Sequence, residues 1–295
     1  MKNLCKIKRH EYRPIIGIVG GMGPDATIDF QIKLSKIMKE KLNILSDQDY
    51  YRVIIDNNTH IPDRTQAVLY KGQSPVPKIL ESIKLMENLN VDLIAIPCNT
   101  VHFYFKEIQD STIKRIVNMI EETINFIVKR YKNIKKIGLL STVAVIKSKI
   151  YQLPLADKGI ELVVPDLELQ SEIFKAIYGI KAGYYKECDL LNYKQKEKLA
   201  FVYKQHEIKT LLNNSVFIKP PSEIILSALK NLETKGVKHV ILGCTEIPIL
   251  INQGIYNGSC NLIDPTYVLA SKVVDLAINF SKINYDVNKK ELYEH

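Results

Sequence analysis

The sequence predicts an α/β protein made of two similar doubly wound halves, each a parallel sheet covered by helices. Three observations carry this. Short runs rich in Ile and Val alternate with longer segments of helical periodicity. Those runs are apolar at consecutive positions, the pattern of strands buried on both faces. Two stretches also occur twice, in the same order, at separations that one insertion reconciles.

The strand-like runs are Ile15–Val19, Val53–Ile55, Leu93–Ile96, Lys136–Leu140, Leu162–Val164 and Val240–Leu242. The helical segments between them are Pro24–Lys41, Pro75–Leu89, Ile116–Arg130, Asp166–Ile180 and Ser222–Lys235. Strands alternating with helices predict a parallel sheet. Such sheets bind ligands beyond the carboxyl ends of their strands.

The repeat is short but ordered. Ile16-Gly17-Ile18-Val19-Gly20 resembles Ile137-Gly138-Leu139-Leu140-Ser141, 121 residues apart (17 to 138). The stretch from Val91 to Thr100 resembles that from Val237 to Glu246, 146 residues apart (98 to 244). The excess is an insertion in the second half. The polar, Lys/Glu/Tyr-rich stretch from Tyr184 to Ser215, closed by Pro220-Pro221, is the place for it. The expected division is a first domain of residues 1–115 plus 264–295 and a second of 116–263, with a helical insertion over about 184–221.

Composition excludes several classes. The 295 residues are 46% apolar and 25% charged, as in an ordinary globular protein. Two domains of roughly 150 residues would account for the length. No run approaches 18 apolar residues, so no membrane span is expected, and Met1 to Pro14 lacks the apolar core of a secretory signal. Five scattered cysteines do not form a disulfide scaffold. The expectation is a cytoplasmic protein of a reducing compartment. The net charge of +9 is spread along the chain. Lys33, Lys36, Lys39 and Lys41 alternate with apolar positions, like a solvated helix face, and the densest run, Lys194 to Lys204, is mixed with Glu197. A small anionic substrate fits this charge better than nucleic acid does.

The repeat places Cys98 and Cys244 in equivalent positions. Each follows a buried strand and precedes a helix, where the helix dipole would lower a thiol pKa. Either cysteine alone would read as a small core residue. Two in one context read as a functional pair: a redox disulfide is one reading, and the symmetric placement suits two catalytic thiols facing one substrate from opposite sides. No C-x-x-C and no histidine at ligand spacing accompanies them, so a metal site is not expected. Cys5, Cys188 and Cys260 lack this context. The loop Gly20-Gly21-Met22-Gly23-Pro24 lets backbone N–H groups approach a ligand. Gly21-Met22-Gly23-Pro24-Asp25-Ala26 fits the G-x-G-x-x-A spacing of dinucleotide binding. The acidic residue expected about 20 positions on is misplaced, however, since Asp56 lies 33 residues beyond Gly23.

Together, Gly20-Gly21-Met22-Gly23-Pro24, Asp56-Asn57, Ile61-Pro62-Asp63-Arg64-Thr65, Pro97-Cys98-Asn99-Thr100, Gly243-Cys244-Thr245-Glu246, Tyr178-Gly179-Ile180-Lys181-Ala182-Gly183 and Leu262-Ile263-Asp264-Pro265 resemble the aspartate/glutamate racemase family, its aspartate racemase branch in particular. The likeness runs from about Ile15 to about Ala277. It implies a homodimeric racemase that needs no cofactor, neither pyridoxal phosphate nor metal, with its active site between two similar domains. Cys98 and Cys244 would be the acid/base pair, and Arg64 and Lys181 would hold the substrate's side-chain carboxylate. Met22, Asn57, Asn99, Thr100, Thr142 and Thr245 would line the α-carboxylate and amino side. One departure bears on specificity: Val143-Ala144-Val145 stands where the family often shows T-G-T.

The chemistry agrees with these residue types. Inverting a carbon centre needs proton removal on one face and delivery on the other, hence two groups whose roles swap with direction. The carbanion's charge spreads onto the α-carboxylate, where N–H and O–H donors stabilise it. Arg64 suits a second carboxylate as a bidentate clamp. His102 and Glu246 lie beside the two cysteines and are candidates for tuning the thiols. Aspartate is the expected substrate. Racemization or isomerization of glutamate or another small acid, or silent binding of an anionic metabolite, are the alternatives.

Overall fold

A computed structural model describes residues 12–185, 198 and 219–291, with side chains of the final helix described as far as 281. Most of the expected insertion, the basic run within it (Lys198 apart), Cys5 and Cys188 lie outside the described residues. The first half contains β1 (Ile16–Val19), α1 (Pro24–Leu42), β2 (Val53–Asp56), α2 (Arg64–Leu69), α3 (Val76–Asn88), β3 (Leu93–Ala95), a 3-10 turn (Thr100–Tyr104), α4 (Phe105–Asp110) and β4 (Arg115–Val117). Then come α5 (Met119–Arg130), β5 (Lys136–Leu140), α6 (Val143–Lys147), α7 (Gln152–Ala156), β6 (Glu161–Val163) and α8 (Leu167–Lys181). The chain continues with α9 (Pro221–Thr234), β7 (His239–Leu242), α10 (Glu246–Leu250), β8 (Asn261–Ile263) and α11 (Pro265–Glu291).

The strands form two parallel four-stranded sheets of the same order, β2-β1-β3-β4 and β6-β5-β7-β8. The repeated stretches occupy equivalent places: β1 matches β5, and β3 matches β7. Their shared glycines have a common packing reason. A Cβ on Gly17 would come within 2.8 Å of Val91 Cγ1, and one on Gly138 within 2.9 Å of Leu232 Cδ1. Both strands therefore omit a side chain where the helix and loop leading into the neighbouring strand, β3 or β7, close down on them.

Each sheet is covered on both faces, which is why its inner strands are apolar at consecutive positions. In the first, Ile16 and Ile18 pack against Phe30 and Leu34 of α1 and Leu269 and Val273 of α11. Its other face, through Val19 and Ile94, meets Ile79, Ile83 and Met86 of α3. In the second, Leu140, Val240 and Leu242 pack on Ile173 and Ile177 of α8 and Ile225 and Leu229 of α9. Ile137, Leu139 and Ile241 face Ile120, Ile124 and Ile127 of α5. The helix leaving each sheet's last strand thus packs on the other sheet, stitching the halves together.

Four details depart from the sequence reading. The short strands β4 and β8 were not marked by the apolar pattern. The helix expected over Ile116–Arg130 begins only at Met119, because Ile116 and Val117 belong to β4 and the Asn118 side chain accepts from the N–H groups of Ile120 (3.1 Å) and Glu121 (3.2 Å). A long helix follows Pro265. Lys33 is not on a solvated face. It is buried, pairs with Asp29 and with Asp264 (2.5 Å), and donates to Thr266 Oγ1 (2.9 Å), tying α1 to the start of α11. Lys36 and Lys39 are exposed as expected. Among the described residues no helix is long and apolar enough to cross a membrane.

Candidate active site

One cavity gathers the loops that follow β1, β2, β3, β5 and β7, at the strands' carboxyl ends. Met22 comes from the glycine loop, and Asp63, Arg64 and Thr65 from the start of α2. Cys98, Asn99 and Thr100 follow β3, and Thr142 follows β5. Gly243, Cys244, Thr245 and Glu246 follow β7, and the far end of α8 contributes Tyr178 and Lys181. Every site residue expected from the sequence lies in this wall except Asn57, which is exposed beyond the end of β2. Val145, where the family often has a hydroxyl, is in the core beside Ile137 and Leu139 and does not line the cavity.

The enclosed volume is about 30 Å³, room for roughly one water. Asp63, Arg64, Lys181 and Glu246 also line an adjoining cavity of about 260 Å³ that reaches Gly21 and Gly23. Those four residues are common to the walls of both spaces.

The cysteines have different surroundings. Cys244 is buried, and its Sγ donates to Glu246 Oε2 at 3.0 Å. Glu246 Oε1 meets Lys181 Nζ at 2.5 Å. Burial pushes the Cys244 thiol well above its ordinary range, and the Glu246 charge adds to this while Lys181 opposes it. The depression expected from a helix N-terminus is therefore overridden at Cys244. The reason is local: α10 has five residues, so its dipole is small beside burial and an adjacent carboxylate. Burial would raise the Glu246 carboxyl, but Lys181 and the Cys244 thiol hold it below the usual carboxylate range.

Cys98 sits on the first-half side, buried, before the 3-10 turn. His102 does not serve its thiol. His102 Nδ1 donates to the Cys98 carbonyl oxygen at 2.8 Å, and Nε2 accepts the Met119 N–H at 3.1 Å. Since Nε2 accepts, the ring is the neutral Nδ1–H tautomer, and burial lowers its pKa to about 4. It clamps the loop backbone.

The guanidinium of Arg64 donates to the carbonyls of Met22 (3.0 Å), Pro62 (3.2 Å) and Ile61 (3.4 Å). Burial opposes its charge, but Cys98, Asp63, Tyr178 and Glu246 outweigh this and hold its pKa above the ordinary value. Tyr178 donates to Asp63 Oδ2 at 2.8 Å, linking α8 to the start of α2. Thr100 Oγ1 and Thr142 Oγ1, one from each half, lie 3.3 Å apart. Asp63, Thr65, Tyr178 and Gly243 were not singled out as site residues from the sequence. Asp63 and Tyr178 stand beside Arg64 and Lys181 in the motifs, and that adjacency was the only signal for them.

Two parallel sheets of one strand order, joined around a polar cavity at their carboxyl ends, define a two-domain α/β enzyme that handles small metabolites. The family model described as Asp/Glu/Hydantoin racemase matches residues 19–273, and the chain belongs to that family of amino-acid racemases. It is similar to the aspartate racemase of Picrophilus torridus, with 29% identity and a TM-score of 0.65 over 90% of this chain and 94% of that one. An aspartate racemase homologue from Pyrococcus horikoshii is 27% identical, with a TM-score of 0.60 over 90% and 99% of the two chains. The broad specificity amino-acid racemase RacX of Bacillus subtilis is 32% identical over 168 residues, covering 57% of this chain and 71% of that one.

Proposed function

We propose that this racemase interconverts L- and D-aspartate by two-base proton transfer at Cα, with Cys98 and Cys244 as the pair and no cofactor. The observation that carries this is one cavity wall holding both thiols together with Arg64 and Lys181. Arg64 and Lys181 suit the second, side-chain carboxylate that sets a dicarboxylic amino acid apart from a neutral one. The likeness to aspartate racemases at 29% and 27% identity supports the choice of aspartate.

In the proposed step, Cys98 as thiolate takes the Cα proton on one face, and its S–H bond forms as C–H breaks. The electron pair moves onto the α-carboxylate, near Asn99, Thr100, Thr142 and Thr245. Cys244, holding its proton, delivers it to the opposite face and becomes the thiolate. The reverse reaction exchanges the roles. A thiol whose pKa is raised is a stronger base once ionised, which suits a weakly acidic C–H. Glu246, touching both Cys244 and Lys181, positions that thiol. Lys181 must leave Glu246 to meet a substrate carboxylate, which couples ligand entry to release of the Cys244 side.

The test is proton NMR with L- and D-aspartate in D₂O and no added cofactor. Loss of the α-proton signal with appearance of the other enantiomer is expected. Exchange with glutamate but not aspartate would overturn the substrate assignment. A second prediction concerns pH. Glu246→Gln removes an anion beside Cys244, so the thiol pKa falls and the limb of the pH–rate profile reporting its ionisation moves to lower pH. A limb that stays in place would take Glu246 out of this role.

A further inference from the structure

We infer that Tyr151 is a positioning residue for the racemization, holding the Asn99 amide so that its N–H₂ group serves the substrate's α-carboxylate. The inference rests on the reading above, in which Asn99 lies on the α-carboxylate side. Tyr151 is fully buried at the start of α7 in the second half, while Asn99 follows β3 in the first. Its hydroxyl donates to Asn99 Oδ1 at 2.6 Å. That length is normal for O–H···O and short for N–H···O, which places the amide oxygen on the tyrosine side. The Nδ2 atom is then left over. Among the described residues lining the cavity, it is the one buried side-chain nitrogen or oxygen without a hydrogen-bond partner.

Buried amide donors are nearly always paired, because an unpaired one forgoes the hydrogen bonds it makes in water. Asn99 is only 3% exposed. The nitrogen is buried in the wall beside the cavity, so an acceptor that reaches it would complete it, and a carboxylate oxygen is the acceptor this enzyme's substrate brings. Without Tyr151, the amide is free to turn its oxygen toward that carboxylate, opposing the charge that grows there in the carbanion. Burial pushes the Tyr151 phenol upward in pKa, so it stays a donor throughout the working pH range.

The test is a cycle of Tyr151→Phe, Asn99→Ala and the double variant. Tyr151→Phe is expected to lower kcat about tenfold while KM moves by less than about twofold, since the lost donor acts most where carbanion charge develops. The double variant should be no slower than Asn99→Ala. Full activity in Tyr151→Phe with a loss in Asn99→Ala would overturn the positioning role and leave the Asn99 assignment standing. Full activity in Asn99→Ala would overturn the α-carboxylate reading of Asn99 itself. Should Tyr151→Phe not fold, ¹⁵N–¹H NMR of the wild-type enzyme decides. The Asn99 side-chain signal, identified by its loss in Asn99→Ala, is expected to shift on addition of malonate. An unmoved signal under saturating malonate would refute the inference.

Discussion

Cys98→Ala and Cys244→Ala should each lower racemization by about 10²–10⁴-fold, the usual contribution of general acid–base catalysis, since each thiol acts in every turnover of the proposed mechanism. Neither change should threaten the fold. Both side chains are small and buried, and each deletion removes a single sulfur. Cys→Ser at each position separates chemistry from packing, since the hydroxyl nearly fills the space yet ionises far less readily. The serine variants should be almost as inactive as the alanine ones. A single variant that keeps a tenth of wild-type kcat/KM would sink the two-base assignment. The two sites should also differ in their pH response. Among the described residues Cys244 hydrogen-bonds a carboxylate, that of Glu246, so pH-profile changes caused by altering Glu246 should trace to that thiol.

Arg64→Gln should lower kcat/KM for aspartate by about 10²-fold or more, chiefly through KM, while a neutral amino acid should lose little. A hydrogen bond between charged partners is worth about 1.5–3 kcal/mol, and a bidentate arginine–carboxylate pair makes two. Three backbone carbonyls from the glycine loop and the α2 start hold the guanidinium in a buried wall. It is therefore ready for a ligand without reorganising. Arg64→Lys should be nearly as damaging, because an ammonium cannot make the same fork-shaped contact or reach all three carbonyls. Equal losses for aspartate and a neutral amino acid would show that Arg64 serves the loop or Cys98 rather than the side-chain carboxylate. A normal KM for aspartate would remove it from binding altogether.

Much of this was legible because it depends on local pattern. Consecutive Ile and Val mark a strand covered on both faces, wherever its partners come from. Lengths of three residues defeated that signal at β4 and β8, where Arg115 and Asn261 begin runs with only two apolar positions each. The repeat brought Cys98 and Cys244 together before any geometry, since equivalent strands in two copies end at equivalent places. The resemblance added Arg64 and Lys181. The burial of Lys33 is not legible in its amphipathic spacing: of its two partners Asp29 is one turn away, but Asp264 lies far along the chain.

From sequence alone came the α/β class, the two-part repeat, the cysteine pair and the family likeness, all properties of residues near one another or of recurring motifs. Tertiary structure decided what passes between distant segments. It joined Lys181 to Glu246, and Glu246 to Cys244, so that burial and a neighbouring anion outweigh a short helix's dipole. It turned His102 from the thiol to the loop backbone. It set Tyr151 against Asn99 across the two halves, leaving one amide donor unspent in the cavity wall. Hydrogen bonds and pKa shifts depend on positions in space to within about an ångström, and no spacing along the chain carries that information.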